Sequence, residues 1–168
     1  AAIAHDCASI SYTYTEPTVF FEMAYDTARL ARARGLGNTF VSNGYMTPKA
    51  VDMIAPWLDA INVDLKAFRD ETYQRVMKAR LEPVLTALRA LVAAGVWGEG
   101  TTLGGPGMND SPAELGDIAR FIAKDLGPGV PWHVSRFHGD YKMENVRATP
   151  IETMELACRI GREAALRF

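Results

Sequence analysis

Cysteine is scarce in this chain: Cys7 and Cys158 are the only two in 168 residues, and they lie near opposite ends. That excludes a disulfide framework and makes a cytoplasmic location the expectation. Charge of one sign is also lacking. A net charge of −2 and a pI near 5.9 leave no electrostatic footprint for nucleic acid or for an anionic membrane. No apolar run approaches the ~20 residues needed to span a bilayer, and no signal peptide opens the sequence. Pro/Gly/Ser linkers and low-complexity tracts are missing too, so residues 1–168 read as a single domain. An initiator Met is absent, and the chain stops at Phe168 straight after a helix-like run. The expectation is a piece of a longer protein, with native processing as the alternative.

What is present is an alternation. Hydrophobic residues make up 48% of the chain, enough for a sizeable core. Ser9–Tyr14 reads as a strand, followed by a helix from about Thr18 to Arg34. Thr39–Ser42 is a second strand, and Thr47-Pro48 opens the next helix as an N-cap and first-turn pair. Ile61–Leu65 is a third strand. Helices follow near Asp70–Met77 and Glu82–Ala94, the latter ended by Gly95. Val96–Leu103 is the weakest strand, because Gly98 and Gly100 bring no packing side chain. Asn109-Asp110-Ser111-Pro112 caps a helix running to about Leu126. Trp132–Phe137 is the fifth strand, and Thr149-Pro150 opens a last helix reaching about Ala165. Residues 1–8 read as a helix tail or a disordered terminus. The repetition predicts parallel strands with crossover helices, in a doubly wound sheet or a whole or partial (β/α) barrel.

Each strand ends in polar groups: Thr15 and Glu16, then Ser42 and Asn43, Asp64 and Lys66, Thr101 and Thr102, and finally Arg136 and His138. In parallel α/β folds the carboxyl ends of the strands share one side, where ligands bind, so these groups are expected to line one cleft. Each also has a plainer reading. Glu16 suits a helix N-terminus, Ser42-Asn43-Gly44 suits a turn, and Asp64 with Lys66 suits a local ion pair. Cys7 and Cys158 read as small core residues, and Phe20, Phe21, Met23 and Tyr25 as a helix-packing surface.

The blocks YTYTEPTVFFE, VSNGYMTPKA, INVDLKAF, RLEPVL, TTLGGPGMNDS and WHVSRFHGDYKM occur in that order. Together they resemble radical S-adenosylmethionine (SAM) enzymes of the AmmeMemoRadiSam type, relatives of the pyruvate formate-lyase activating enzyme. The resemblance implies a partial TIM-like parallel (β/α) barrel, lacking its first strand and cut short at its C-terminus. It implies reductive cleavage of SAM at a [4Fe-4S] cluster to give a 5′-deoxyadenosyl radical. The cluster would be held by a Cys-x3-Cys-x2-Cys loop that this chain lacks, so metal ligands are expected only in the full-length protein, and this chain alone is expected to be inactive. Carried over residue by residue, Thr15 and Glu16 would receive the SAM ammonium. Ser42 and Asn43 would approach its polar groups, and Asp64 and Lys66 would meet its ribose and carboxylate. Arg136 and His138 would lie near the SAM or substrate end. The substrate is open and includes a protein.

Two other readings stand beside this one. The first is a non-catalytic (β/α) remnant that binds SAM or a partner, with self-association through the open sheet edge. The second is an unrelated metabolic enzyme using Asp64, Lys66 and His138 for acid–base or Schiff-base chemistry.

Overall fold

Five short strands hydrogen-bond side by side in chain order: β1 (Ser9–Tyr12), β2 (Gly37–Ser42), β3 (Ala60–Asp64), β4 (Trp97–Gly104) and β5 (Trp132–Arg136). This computed structural model describes residues 1–168 apart from the side chain of Lys142. The ladders are parallel, with Tyr12 beside Phe40, Phe40 beside Ile61 and Gly104 beside Arg136. Parallel neighbours in chain order require a crossover after each strand. Helices α1 (Phe21–Arg32), α2 (Pro48–Ile54), α3 (Asp70–Thr72), α4 (Leu81–Ala93), α5 (Pro112–Phe121) and α6 (Ile151–Glu163) follow the strands. The result is a parallel α/β architecture with helices after every strand, as expected of the (β/α) reading. Among the described residues, no helix is long and apolar enough to cross a membrane.

The chain forms two compact units. The first comprises Ala1–Val63 and Pro83–Glu99. Its core is Phe40, Ile54, Ile61, Val63, Val84, Leu88 and Leu91, all buried. Helix α1 meets it through Ala24, Ala28 and Ala31, a stripe of small side chains at helical spacing. Asn38 is buried between layers and fully matched: its Nδ2 donates to the carbonyls of Ala28 and Trp57, and its Oδ1 accepts from the Tyr12 hydroxyl. Thr47 caps α2, accepting from the Ala50 amide, with Pro48 in the first turn.

The second unit comprises Asp64–Glu82 and Gly100–Phe168. Its core joins Leu65, Leu115, Ile118, Ala119, Ile122 and Trp132. Ser111 caps α5, accepting from the Glu114 amide, and Pro112 follows at the first helical position. Asp70 ties the region after β3 to the start of α4. Its Oδ1 accepts from the Leu81 amide, while Oδ2 accepts from Gln74 and pairs with Arg80 at 3.1 Å.

Several sequence expectations are corrected. The first strand stops at Tyr12, because Tyr14 turns left-handed (φ +70°) with its ring in solvent. Residues Pro17–Phe20 form a 3-10 turn before α1 begins, and Tyr73–Met77 form a π turn after α3. The terminus is neither helix tail nor structureless: Ile3–His5 make one 3-10 turn. Both cysteines are exposed, since the buried face of α6 runs through Ala157 and Gly161 and leaves Cys158 outside. Met23 is likewise exposed, whereas Phe20, Phe21 and Tyr25 are half-buried, and the buried face of α1 is the alanine stripe. Strand β4 forms in full despite its glycines. A Cβ on Gly98 would sit 2.8 Å from Val92 Cγ2, and one on Gly100 would sit 3.3 Å from Ile122 Cδ1. These positions lack side chains because helices close directly onto the strand there.

Gly44 combines a left-handed backbone (φ +71°) with no room, since a Cβ would lie 2.6 Å from Val63 Cγ1. Gly35 has a similar φ of +75° in open space. Gly35→Ala is therefore expected to cost about 1–2 kcal/mol, and Gly44→Ala about 1–3 kcal/mol more through overpacking. Equal costs in denaturant unfolding would contradict this. The hydrogen bond from the Leu81 amide, with Gln74 and Arg80, holds the Asp70 carboxyl below its ordinary range. A depressed folded pKa stabilises above the unfolded value and is lost as pH falls through the folded one. Asp70→Asn should thus lower the melting temperature at pH 7, with the gap closing below about pH 4. A gap unchanged in acid would refute the assignment.

Candidate functional site

At the carboxyl end of β1 the chain reverses through Tyr14 and delivers Glu16 to the end of β2. Glu16 Oε1 accepts from the Thr18 amide at 3.3 Å, the Thr18 hydroxyl at 3.2 Å and the Ser42 hydroxyl at 2.8 Å. Its Oε2 accepts from the Asn43 amide at 2.7 Å. One carboxylate thus caps the Pro17–Phe20 turn and straps the end of β1 to the end of β2. Ser42 is buried and also accepts from the Gly44 amide, while Asn43 Oδ1 accepts from the Tyr45 amide. Thr15 is exposed beside them. A carboxylate offers about four acceptor positions. The three donors on Oε1 saturate it, whereas Oε2 takes one hydrogen bond among the described residues and keeps a second position.

In the second unit Asp64 is the last residue of β3, and Lys66 follows in the loop. Lys66 Nζ donates to Asp64 Oδ2 at 2.6 Å, both side chains being about 40% exposed (41% and 38%). The plain ion-pair reading of these residues is therefore the observed state of the chain. Asp64 does not sit within the strand interior, where its charge would be costly. The loop around Lys66 is held by groups that the sequence reading missed or placed elsewhere. Asn109, read as part of a helix cap, is buried; its Nδ2 donates to the carbonyls of Lys66 and Leu103. Glu114 is buried at the start of α5 and accepts from the Phe68 amide at 2.6 Å. The Tyr73 hydroxyl accepts from the Lys66 amide at 3.3 Å, and burial pushes its pKa up to about 12, so it stays a neutral phenol. An acid directly ahead of the apolar run of α5 was the visible signal for Glu114; nothing local marked Tyr73.

Arg136 ends β5 exposed, and its Nε donates to the Thr149 carbonyl at 2.9 Å. His138 is exposed two residues on. Thr149, expected to open α6, is fully buried and caps nothing. Its hydroxyl accepts from the Phe137 amide and donates to the Gly104 carbonyl, closing the base of the loop that carries His138. A groove of about 520 Å³ lies on the exposed face of α1, between Asp26, Arg29, Leu30, Ala33 and Trp57. None of the polar strand-end residues lines it.

The donor set decides which cofactors fit. Among the described residues no group of three or more His, Cys, Asp or Glu side chains could hold a metal ion. Two exposed cysteines do not supply the three thiolates that a site-differentiated [4Fe-4S] cluster takes. Glu16 Oε2, with one hydrogen bond from the Asn43 amide, is the carboxylate oxygen of this set with an acceptor position to spare.

The family profile of the Radical SAM superfamily matches residues 1–122. The uncharacterized protein MJ0808 of Methanocaldococcus jannaschii is 42% identical over 167 residues, which are 99% of this chain and 49% of that protein. The chain thus spans about half the length of that relative. A domain of the pyruvate-formate lyase-activating enzyme from Bacteroides vulgatus superposes with a TM-score of 0.81 at 16% identity, over 95% of this chain and 96% of that one. SuiB of Streptococcus suis bound to S-adenosylmethionine gives 0.76 at 12% identity, over 99% of this chain and 39% of that one. At such identities the structural likeness is one of fold. With its profile running from the first residue through α5, and its parallel sheet shared with these structures, the chain belongs to the Radical SAM superfamily.

Proposed function

We propose that this chain is the SAM-binding part of a radical SAM enzyme of the AmmeMemoRadiSam type, and that Glu16 receives the ammonium of the SAM methionine group. The observation that carries the reading is the Glu16 carboxylate, fixed by Thr18, Ser42 and Asn43 with one acceptor position left on Oε2. A charge-assisted hydrogen bond between a carboxylate and an ammonium is among the stronger polar contacts. The superfamily's chemistry on bound SAM is reductive cleavage. The part proposed for these residues is binding and orientation. In the second unit, Asp64 and Lys66 are proposed as contacts to hydroxyl and carboxylate groups of the same class of ligand, with Arg136 and His138 towards the substrate. A peptide substrate is one option within this proposal, since SuiB has been crystallised with its precursor peptide.

Glu16→Gln tests the reading and has two expected effects. An amide in place of the carboxylate presents a donor to groups that are themselves donors, so folding stability should fall by about 1–3 kcal/mol. SAM affinity, titrated calorimetrically at a temperature where both proteins are folded, should fall about ten- to a hundredfold. Thr18→Val separates the two effects, because it removes one hydroxyl donor to Oε1 but leaves the carboxylate. It should lower the melting temperature while SAM affinity stays within about threefold of wild type. Loss of stability in Glu16→Gln with unchanged SAM affinity would leave Glu16 as a strap alone.

A further inference from the structure

Four consecutive residues after β3, Leu65 to Phe68, belong to neither strand nor helix. Their backbone groups are nonetheless gripped by four side chains from four places in the second unit. The Leu65 carbonyl accepts from Thr102 Oγ1 of β4 at 2.9 Å. The Lys66 amide donates to Tyr73 Oη in the π turn, and the Lys66 carbonyl accepts from Asn109 Nδ2 at 2.6 Å. The Phe68 amide donates to Glu114 Oε1 of α5. All four gripping residues are buried, at 3% exposure for Tyr73, 0% for Thr102, 1% for Asn109 and 4% for Glu114.

A loop that merely connects two elements runs over the surface and satisfies its backbone with water. Burying a carboxylate and a carboxamide to do the same is unfavourable unless each is fully matched. Here two of the four grips fall on Lys66 and the other two on Leu65 and Phe68 to either side of it. Lys66 is flanked by Leu65 and Ala67, both fully buried, so its own side chain is turned to the other side. Its amide, its carbonyl and its ammonium each have a fixed partner, the last being Asp64.

We infer that Tyr73, Thr102, Asn109 and Glu114 are positioning residues that hold the Leu65–Phe68 backbone so that Lys66 presents its ammonium beside Asp64 in one set orientation. The inference deepens the proposed role of Lys66 as a ligand contact and rests on that role for its purpose. The ligand class it suits carries an anionic group to meet the ammonium and a donor such as a hydroxyl to meet Asp64. Holding the cation in advance removes the side-chain ordering cost that a free lysine would add on binding.

Competitive acylation of amines with limiting acetic anhydride, read lysine by lysine in the full chain, tests the clamp without any ligand. Tyr73→Phe removes one hydroxyl and keeps the ring. Asn109→Asp keeps the acceptor for the Gly105 amide but loses both donors. In each variant the Lys66 rate should rise about two- to tenfold relative to Lys49 and Lys124, whose rates should hold. A Lys66 rate that stays level with the reference lysines would overturn the inference. So would a joint rise of all three, which reports loss of the fold and not of a position. A second arm adds SAM to the wild type. Slower labelling of Lys66 supports its role as a contact. Absence of protection sinks that role, while the ratio of rates in the variants still decides the clamp.

Discussion

Backbone leaving a parallel sheet keeps its hydrogen-bonding groups, and wherever that backbone is buried each group must be matched. The chain meets this constraint with polar side chains, several of them the residues proposed to meet a ligand. Glu16 matches the Asn43 amide past β2 and, through Ser42, steadies the turn into Gly44. Thr102, Tyr73, Asn109 and Glu114 match the segment past β3. Thr149 matches Gly104 at the end of β4 and Phe137 past β5.

This explains why the structural and functional readings of Glu16 do not exclude each other. As a cap it satisfies the Thr18 amide; as a strap it joins β1 to β2; and Oε2 retains room for one more donor. The Asp64–Lys66 pair has the same double character. It is a satisfied ion pair in the chain as it stands, and it is a carboxylate and an ammonium 2.6 Å apart on a backbone that cannot shift freely. Exposed pairs of this kind add little to stability. The role proposed for this pair is therefore presentation to a ligand and not holding the fold together.

The order of strands and helices was legible in the sequence because hydrophobic periodicity, Thr47-Pro48 and Ser111-Pro112 are local signals. The polar strand ends were legible for the same reason: Glu16, Ser42, Asp64 and Arg136 each follow an apolar run. What was not legible depended on distant partners. The glycines of β4 looked like weakness because Val92 and Ile122, the side chains filling their space, lie on other elements. Asn109 and Thr149 looked like caps because their type favours caps, and only the fold shows them turned inward to carbonyls far along the chain. Cys158 looked like core because its type is often buried, yet the helix face is set by Ala157 and Gly161.

The central claim is that the strand-end carboxylate of the first unit receives a ligand ammonium. Amide chemical-shift mapping during a SAM titration of the isotope-labelled chain reads this directly. The account predicts that the Thr18, Asn43 and Gly44 amides, the groups tied to Glu16 and Ser42, shift together and saturate with one affinity. Shifts confined to the outer face of α1 around Arg29 and Trp57, or none at saturating SAM, would contradict it.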